Sequence, residues 1–111
     1  MKEGMITVTV SYANAEGSTF DKEYYLENHI PLVNKLLGDP LKGAMVEYGI
    51  TGGAPGSDAA YVCKTTMYFD TVEDFQNSFG PNAPEILADL PNFTNVEPSL
   101  QISEIAKIAA G

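Results

Sequence analysis

A chain of 111 residues has the length of one domain and surface enough to bury a single modest core. Its six basic residues are all lysine and stand against fifteen acidic ones; the net charge of -9 disfavours nucleic-acid and anionic-membrane partners, which need clustered cations. One histidine and one cysteine exclude, within one chain, a structural zinc site and an intrachain disulfide.

The start, Met1 to Gly4, reads as a loose leader before an alternating strand. In Met5 to Tyr12, Ile6, Val8, Val10 and Tyr12 fall on one face, with Thr7, Thr9 and Ser11 on the other. Asn14 to Ser18 is turn-rich, and Asp21 caps a predicted helix over residues 21–37 with Glu23 in its first turn. Pro31 lies inside that helix. Its missing N–H and its ring predict a kink or break near Asn28 to Ile30, beside His29.

Gly38-Asp39-Pro40 ends the helix, and a second strand is expected within Leu41 to Thr51, with Val46, Tyr48 and Ile50 on one face. The glycine-rich loop Gly52 to Asp58 lacks the Gly-Lys-Ser/Thr ending of a phosphate loop and leads into a strand, so it reads as a connection or pocket lip. Tyr61 to Phe69, rich in β-branched and aromatic residues, is the third strand. Asp70 or Thr71 caps a helix to Phe79, Gly80-Pro81-Asn82 breaks it, and a short helix follows over Pro84 to Asp89. Leu90 to Asn95 reads as loop and Glu97 to Ile105 as the last strand, with residues 106–111 a tail.

The order β-α-β-β-α-β predicts an α+β, ferredoxin-like domain over residues 5–105: a four-stranded antiparallel sheet with its helices on one face. The second face stays uncovered. Because Tyr61, Cys63, Thr65, Met67 and Phe69 alternate along one strand, that face is expected to be apolar enough to pair with the sheet of an identical subunit. No stretch approaches the ~20 apolar residues of a membrane span, and a soluble, cytoplasmic protein is expected.

At about 100° per residue, Tyr25, His29, Leu32 and Leu36 lie within about a 60° sector of the first helix, with Val33 at its edge. His29 therefore faces the space between helix and sheet. Two readings stand: a core histidine bonded to a freed carbonyl or a tyrosine, or an acid/base group in a closed pocket, suited by an ordinary pKa near 6.5. The tyrosines, among them Tyr12, Tyr25 and Tyr61, serve equally as core, interface or pocket lining. Cys63 reads as a structural thiol. Asn92, Thr94 and Asn95 could hydrogen-bond at a pocket mouth or simply build a loop.

Phe20-Asp21, Tyr24-Tyr25, His29, Pro31-Leu32-Val33 and Leu36-Leu37-Gly38, then Tyr68-Phe69-Asp70 with Phe75, and Pro91-Asn92-Phe93-Thr94 through Pro98, resemble the EthD family. The resemblance covers about Met5 to Ile105. It implies a dimeric α+β barrel in which two sheets face each other and each subunit keeps a pocket between its helices and its sheet. The family is named for an association with ethyl tert-butyl ether degradation beside a cytochrome P-450 system. Related barrels include cofactor-free monooxygenases, isomerases, cyclases and haem enzymes, so the fold selects no chemistry.

Two functions are therefore expected in competition. One is a cofactor-free enzyme, an oxidoreductase or an isomerase/cyclase, acting on a small apolar organic molecule. His29 would be its acid/base, Tyr25 or Tyr61 would hold a developing oxyanion, and Tyr12, Tyr61, Leu32, Leu36, Asn92 and Phe93 would contact substrate. The other is a non-catalytic dimer that binds an intermediate or supports a partner oxygenase. No metal or cofactor is expected; haem on His29 is disfavoured because no arginine is available for its propionates.

Overall fold

The computed structural model describes residues 1–110. Alternation in the first segment produces β1 (Ile6–Ala13), which lies inside the sheet and pairs antiparallel with β3 (Tyr61–Phe69) and β4 (Ser99–Glu104). β2 (Gly43–Tyr48) adds to β3, giving the order β2-β3-β1-β4. Val8 stands opposite Met67 and Ile102, Val10 opposite Thr65 and Leu100, and Tyr12 opposite Cys63. Directly opposed residues share a face. One face thus carries Val8, Tyr12, Cys63, Met67 and Phe69, all buried beneath the helices.

The other face differs from expectation. Cys63, Thr65, Met67 and Phe69 point to the helices, so the open face carries Thr7, Thr9 and Ser11 of β1, Lys64, Thr66 and Tyr68 of β3, Met45 and Glu47 of β2, and Gln101 and Ser103 of β4. It is mainly polar. Its hydrophobicity does not by itself call for a covering sheet. β2 lies within the expected Leu41 to Thr51 but ends before Ile50: Gly49 passes so close to the Tyr61 carbonyl that a side chain there would collide, and Ile50 beyond it is 94% exposed.

The first helix begins as anticipated, with Asp21 Oδ1 accepting from the Tyr24 N–H, 3.0 Å. It runs on as α1 (Lys22–Tyr24), a π-helical turn over Tyr25–His29, and α2 (Ile30–Leu37). Pro31 does not break it. Pro31 has no N–H to give Glu27, and just before it the Ile30 N–H reaches back five residues to the Tyr25 carbonyl. The wider turn takes up one extra residue and rotates everything beyond it by about 100°. Tyr25 and His29 keep the inward face, but Ile30 and Val33 succeed them, while Leu32 and Leu36 turn partly aside. Gly38, with φ of 67°, ends the helix in a conformation few other residues adopt.

Thr71 Oγ1 caps α3 (Val72–Phe79) by accepting from the Asp74 N–H, 3.0 Å. The expected break at Gly80–Asn82 is a single 3-10 turn leading into α4 (Ala83–Ala88). Asn82 Nδ2 donates to the carbonyls of Leu36 and Ser78, tying this corner to α2. A further 3-10 turn over Leu90–Asn92 occupies the expected loop and delivers Phe93 to the core. The bridge between Phe20 and Thr94 holds that segment against the entry to α1.

Two apolar clusters result. Val8, Leu37, Met67, Phe69, Phe75 and Ile86 fill one end of the layer between sheet and helices, and Tyr12, Tyr25, Cys63 and Phe93 fill the other. Among the described residues no helix is long and apolar enough to cross a membrane.

Candidate functional site

Between these clusters lies a cavity of about 310 Å³, roughly the volume of ten water molecules in the liquid. Its floor is the sheet, with Val10, Thr65, Met67, Ala44 and Leu100; its roof is His29, Ile30 and Val33 from the first helix and Ile86, Leu87 and Leu90 from the α4 region. Leu87 and Leu100 line it yet are about half exposed. The cavity therefore opens to solvent between α4 and the β4 edge.

Asn34 of α2 is one polar residue of the lining, and the hydrogen-bonded polar groups gather around His29. His29 is only 4% exposed. Tyr25 lies against its ring, nearly parallel with centroids 5.3 Å apart, and Phe93 packs on it at 4.6 Å. His29 Nδ1 lies 2.8 Å from Asp89 Oδ2. The other carboxylate oxygen accepts from the Tyr24 hydroxyl at 2.6 Å and from Asn92 Nδ2 at 2.9 Å. Three donors thus converge on Asp89. Burial alone would raise its pKa, but the hydrogen bonds from Tyr24, Asn92 and His29 outweigh it and hold the carboxyl below its ordinary value.

Burial pulls His29 below its ordinary 6.5, with Asp89 opposing but not cancelling the effect. At neutral pH the pair is a neutral imidazole beside an ionised carboxylate. An ionised carboxylate only accepts, so Nδ1 carries the proton and Nε2 the lone pair. Among the described residues Nε2 has no hydrogen-bond partner, and no sealed side-chain polar atom is left without one. Nε2 is thus the open valence of a histidine that lines the cavity.

Beneath the histidine, the Tyr25 hydroxyl and Thr65 Oγ1 are 2.6 Å apart, and Cys63 Sγ lies 3.9 Å from the same Oγ1. Burial raises the phenols of Tyr12 and Tyr25 and pushes the Cys63 thiol up to about 11. All three stay protonated at neutral pH, and the cysteine is inert as a nucleophile. Among the described residues no cluster of three His, Cys, Asp or Glu side chains could hold a metal ion.

Of the residues singled out in the sequence, Tyr12, Tyr25 and His29 line the cavity together. Leu32 and Leu36 do not, because the π-turn rotates them away. Tyr61, 43% exposed, borders a separate surface hollow beside Gly49. Asn92 and Phe93 flank a shallow groove with Phe20 and Asp21; they reach the site indirectly, Asn92 through Asp89 and Phe93 through the His29 ring. Asp89 and Thr65 escaped the sequence reading. They meet His29 and Tyr25 across 60 and 40 residues of chain, a separation that no local pattern encodes.

The pair also sets the acid stability. His29 is depressed relative to the unfolded value of 6.5, so its contribution is complete above that pH and is lost as pH falls towards its folded value. Asp89, depressed relative to 3.8, adds a second loss below that pH. Urea unfolding is expected to give a constant midpoint from pH 8 to about 7 and a falling one from about pH 6.5 downward. A midpoint that rises on acidification through pH 6 would contradict this assignment.

An EthD domain model matches residues 17–97. The crystal structure of an EthD-like protein from Ralstonia eutropha superimposes with a TM-score of 0.90 at 37% identity, covering 98% of each chain. An ethyl tert-butyl ether degradation (EthD) family protein from Bacillus halodurans gives a TM-score of 0.63 at 22% identity, over 90% of this chain and 97% of that one. A dimeric protein with a ferredoxin-like fold from Bacteroides fragilis gives 0.56 at 14%, over 94% and 99%. No curated protein matches the chain.

Proposed function

The chain belongs to the EthD family, and from that premise we propose that it binds a small, largely apolar organic molecule in the cavity beneath the first helix. His29 acts there as a general base and no metal takes part. The observation that carries this reading is the His29–Asp89 pair at the wall of a largely apolar cavity, with Nδ1 committed to Asp89 and Nε2 free. Nε2 takes a proton from carbon or oxygen of the bound molecule, and the imidazolium so formed is stabilised by the carboxylate 2.8 Å away. Returning the proton at another atom gives isomerisation or cyclisation. The hydroxyl of Tyr25, still protonated, supports the negative charge that develops on oxygen.

Two copies would meet through the open sheet face, in keeping with the dimeric neighbour from Bacteroides fragilis. Light scattering should then report twice the 11.9 kDa chain mass.

The base role can be tested without knowing the natural substrate. Small ketones, lactones and phenols are titrated into the protein in heavy water, and exchange of their acidic hydrogens for deuterium is followed by proton NMR. Binding with accelerated exchange is the expected result. Binding without exchange across the panel would reject the base and leave the alternative, a dimer that holds an intermediate for a partner oxygenase.

A further inference from the structure

The distribution of charge and hydroxyl groups around the cavity restricts its ligand further. Among the described residues that line it, His29 is the sole basic side chain and no lysine contributes. Lys22, on the same helical stretch, lies over the outer ring of Tyr48, 5.1 Å from its centroid. A full negative charge stands behind the lining, the Asp89 carboxylate one hydrogen bond beyond His29. An anion entering this space would shed its hydration, meet no cation and approach a carboxylate.

The hydroxyl pair adds a second constraint. Tyr25 and Thr65 possess one O–H proton each, and their mutual 2.6 Å contact consumes one. The Tyr12 hydroxyl joins the pair through Tyr25, and the Cys63 sulfur, 3.9 Å from Thr65 Oγ1, is a further weak neighbour. Tyr12, Tyr25 and Thr65 all line the cavity; their three O–H protons serve two mutual contacts, so the cluster built on the Tyr25–Thr65 pair has one proton to offer a ligand oxygen. By strand register Thr65 sits at the polar end, and Met67, two residues on, begins the apolar end with Ala44 opposite it.

We infer that the cavity selects uncharged molecules with a carbonyl-type oxygen at one end and an apolar body at the other, the oxygen resting on the Tyr25–Thr65 hydroxyl pair, and that it rejects the corresponding carboxylates. This rests on the proposed role of the cavity as a binding site. It deepens that role by making Thr65 a ligand-contacting residue and by fixing the charge of what is bound.

Three probes of one shape test it: benzylacetone, hydrocinnamate and butylbenzene, titrated by NMR into the intact protein at pH 7.5. Benzylacetone should bind, and hydrocinnamate should bind about 100-fold or more weakly, because its charge is buried without a partner. Thr65→Val, which keeps the shape and removes the hydroxyl, should weaken benzylacetone about tenfold and leave butylbenzene unchanged. Tyr25→Phe should weaken it as well, and the double variant should lose more than either, since each single variant still leaves one O–H of the pair able to turn to the ligand. Equal affinity for ketone and carboxylate would overturn the inference while leaving the cavity a binding site. Binding of none of the three would overturn both, and equal loss of benzylacetone and butylbenzene in Thr65→Val would overturn the hydroxyl assignment.

Discussion

His29→Gln is expected to lower hydrogen exchange of a bound ketone by about 10²–10⁴-fold, the usual contribution of a positioned general base. Binding of the same ketone should change little. Glutamine is close in length and can still donate to Asp89, so the carboxylate keeps its third hydrogen bond and the ring clamp of Tyr25 and Phe93 stays largely filled. Asp89→Asn separates positioning from proton transfer. The amide keeps the shape but removes the charge that stabilises the imidazolium, and its NH₂ can point at Nδ1 and so favour the wrong tautomer. Exchange should fall, and the midpoint of its pH profile should move down, because Asp89 is what holds the His29 pKa up against burial. A purely structural role for Asp89 would lower stability without moving that midpoint. Unchanged exchange in His29→Gln would remove the histidine from the chemistry.

Phe93→Ala is expected to destabilise the fold by about 3–5 kcal/mol, the range for deleting a buried phenylalanine. Phe93 is 3% exposed and its ring touches those of Tyr12, Phe20, Tyr24, Tyr25 and His29. It is the hub of the second cluster. Its loss also removes one side of the histidine clamp, so the variant should show a His29 pKa closer to 6.5 as water enters beside the ring. Urea denaturation followed by tyrosine fluorescence gives the first quantity and a proton NMR titration the second. A loss below about 1 kcal/mol would mean that the cluster repacks around the gap.

The sheet was legible because its signal is local. Period-two alternation in β1 and the β-branched run of β3 place both strands within a residue of where they form, and Thr71 announces α3 through its own side-chain cap. Pro31 was legible as a disturbance but not as a phase shift. A kink keeps the helical stripe and predicts Leu32 and Leu36 at the site, whereas the π-turn re-aims it and puts Ile30 and Val33 there instead. The choice between these outcomes depends on how the helix packs on the sheet, which the heptad around Pro31 does not contain.

The open face shows a different kind of loss. A strand carries two faces, and the sequence alone does not say which of them the helices cover. Assigning Cys63, Met67 and Phe69 to the wrong layer produces an apolar open face where the molecule has mostly threonines, serines and charged side chains beside Met45 and Tyr68. At the site, the lone histidine stood out by composition and helical phase. The partners that give it a function, Asp89 and, through Tyr25, Thr65, arrive by tertiary contact from α4 and β3. Asp89 looked like an ordinary residue at the end of a short helix until Tyr24, His29 and Asn92 were seen to converge on it.

The central claim is that His29 waits in the cavity as a neutral base with its proton on Nδ1. Nitrogen-15 NMR of the imidazole across pH 4 to 8 tests it most directly, since the two ring nitrogens report tautomer and charge separately. The account predicts the Nδ1–H tautomer at pH 7.5, a titration midpoint below 6.5, and a shift of Nε2 when benzylacetone enters the cavity. An imidazolium at pH 7.5, or a proton resident on Nε2 with Nδ1 bare, would contradict it.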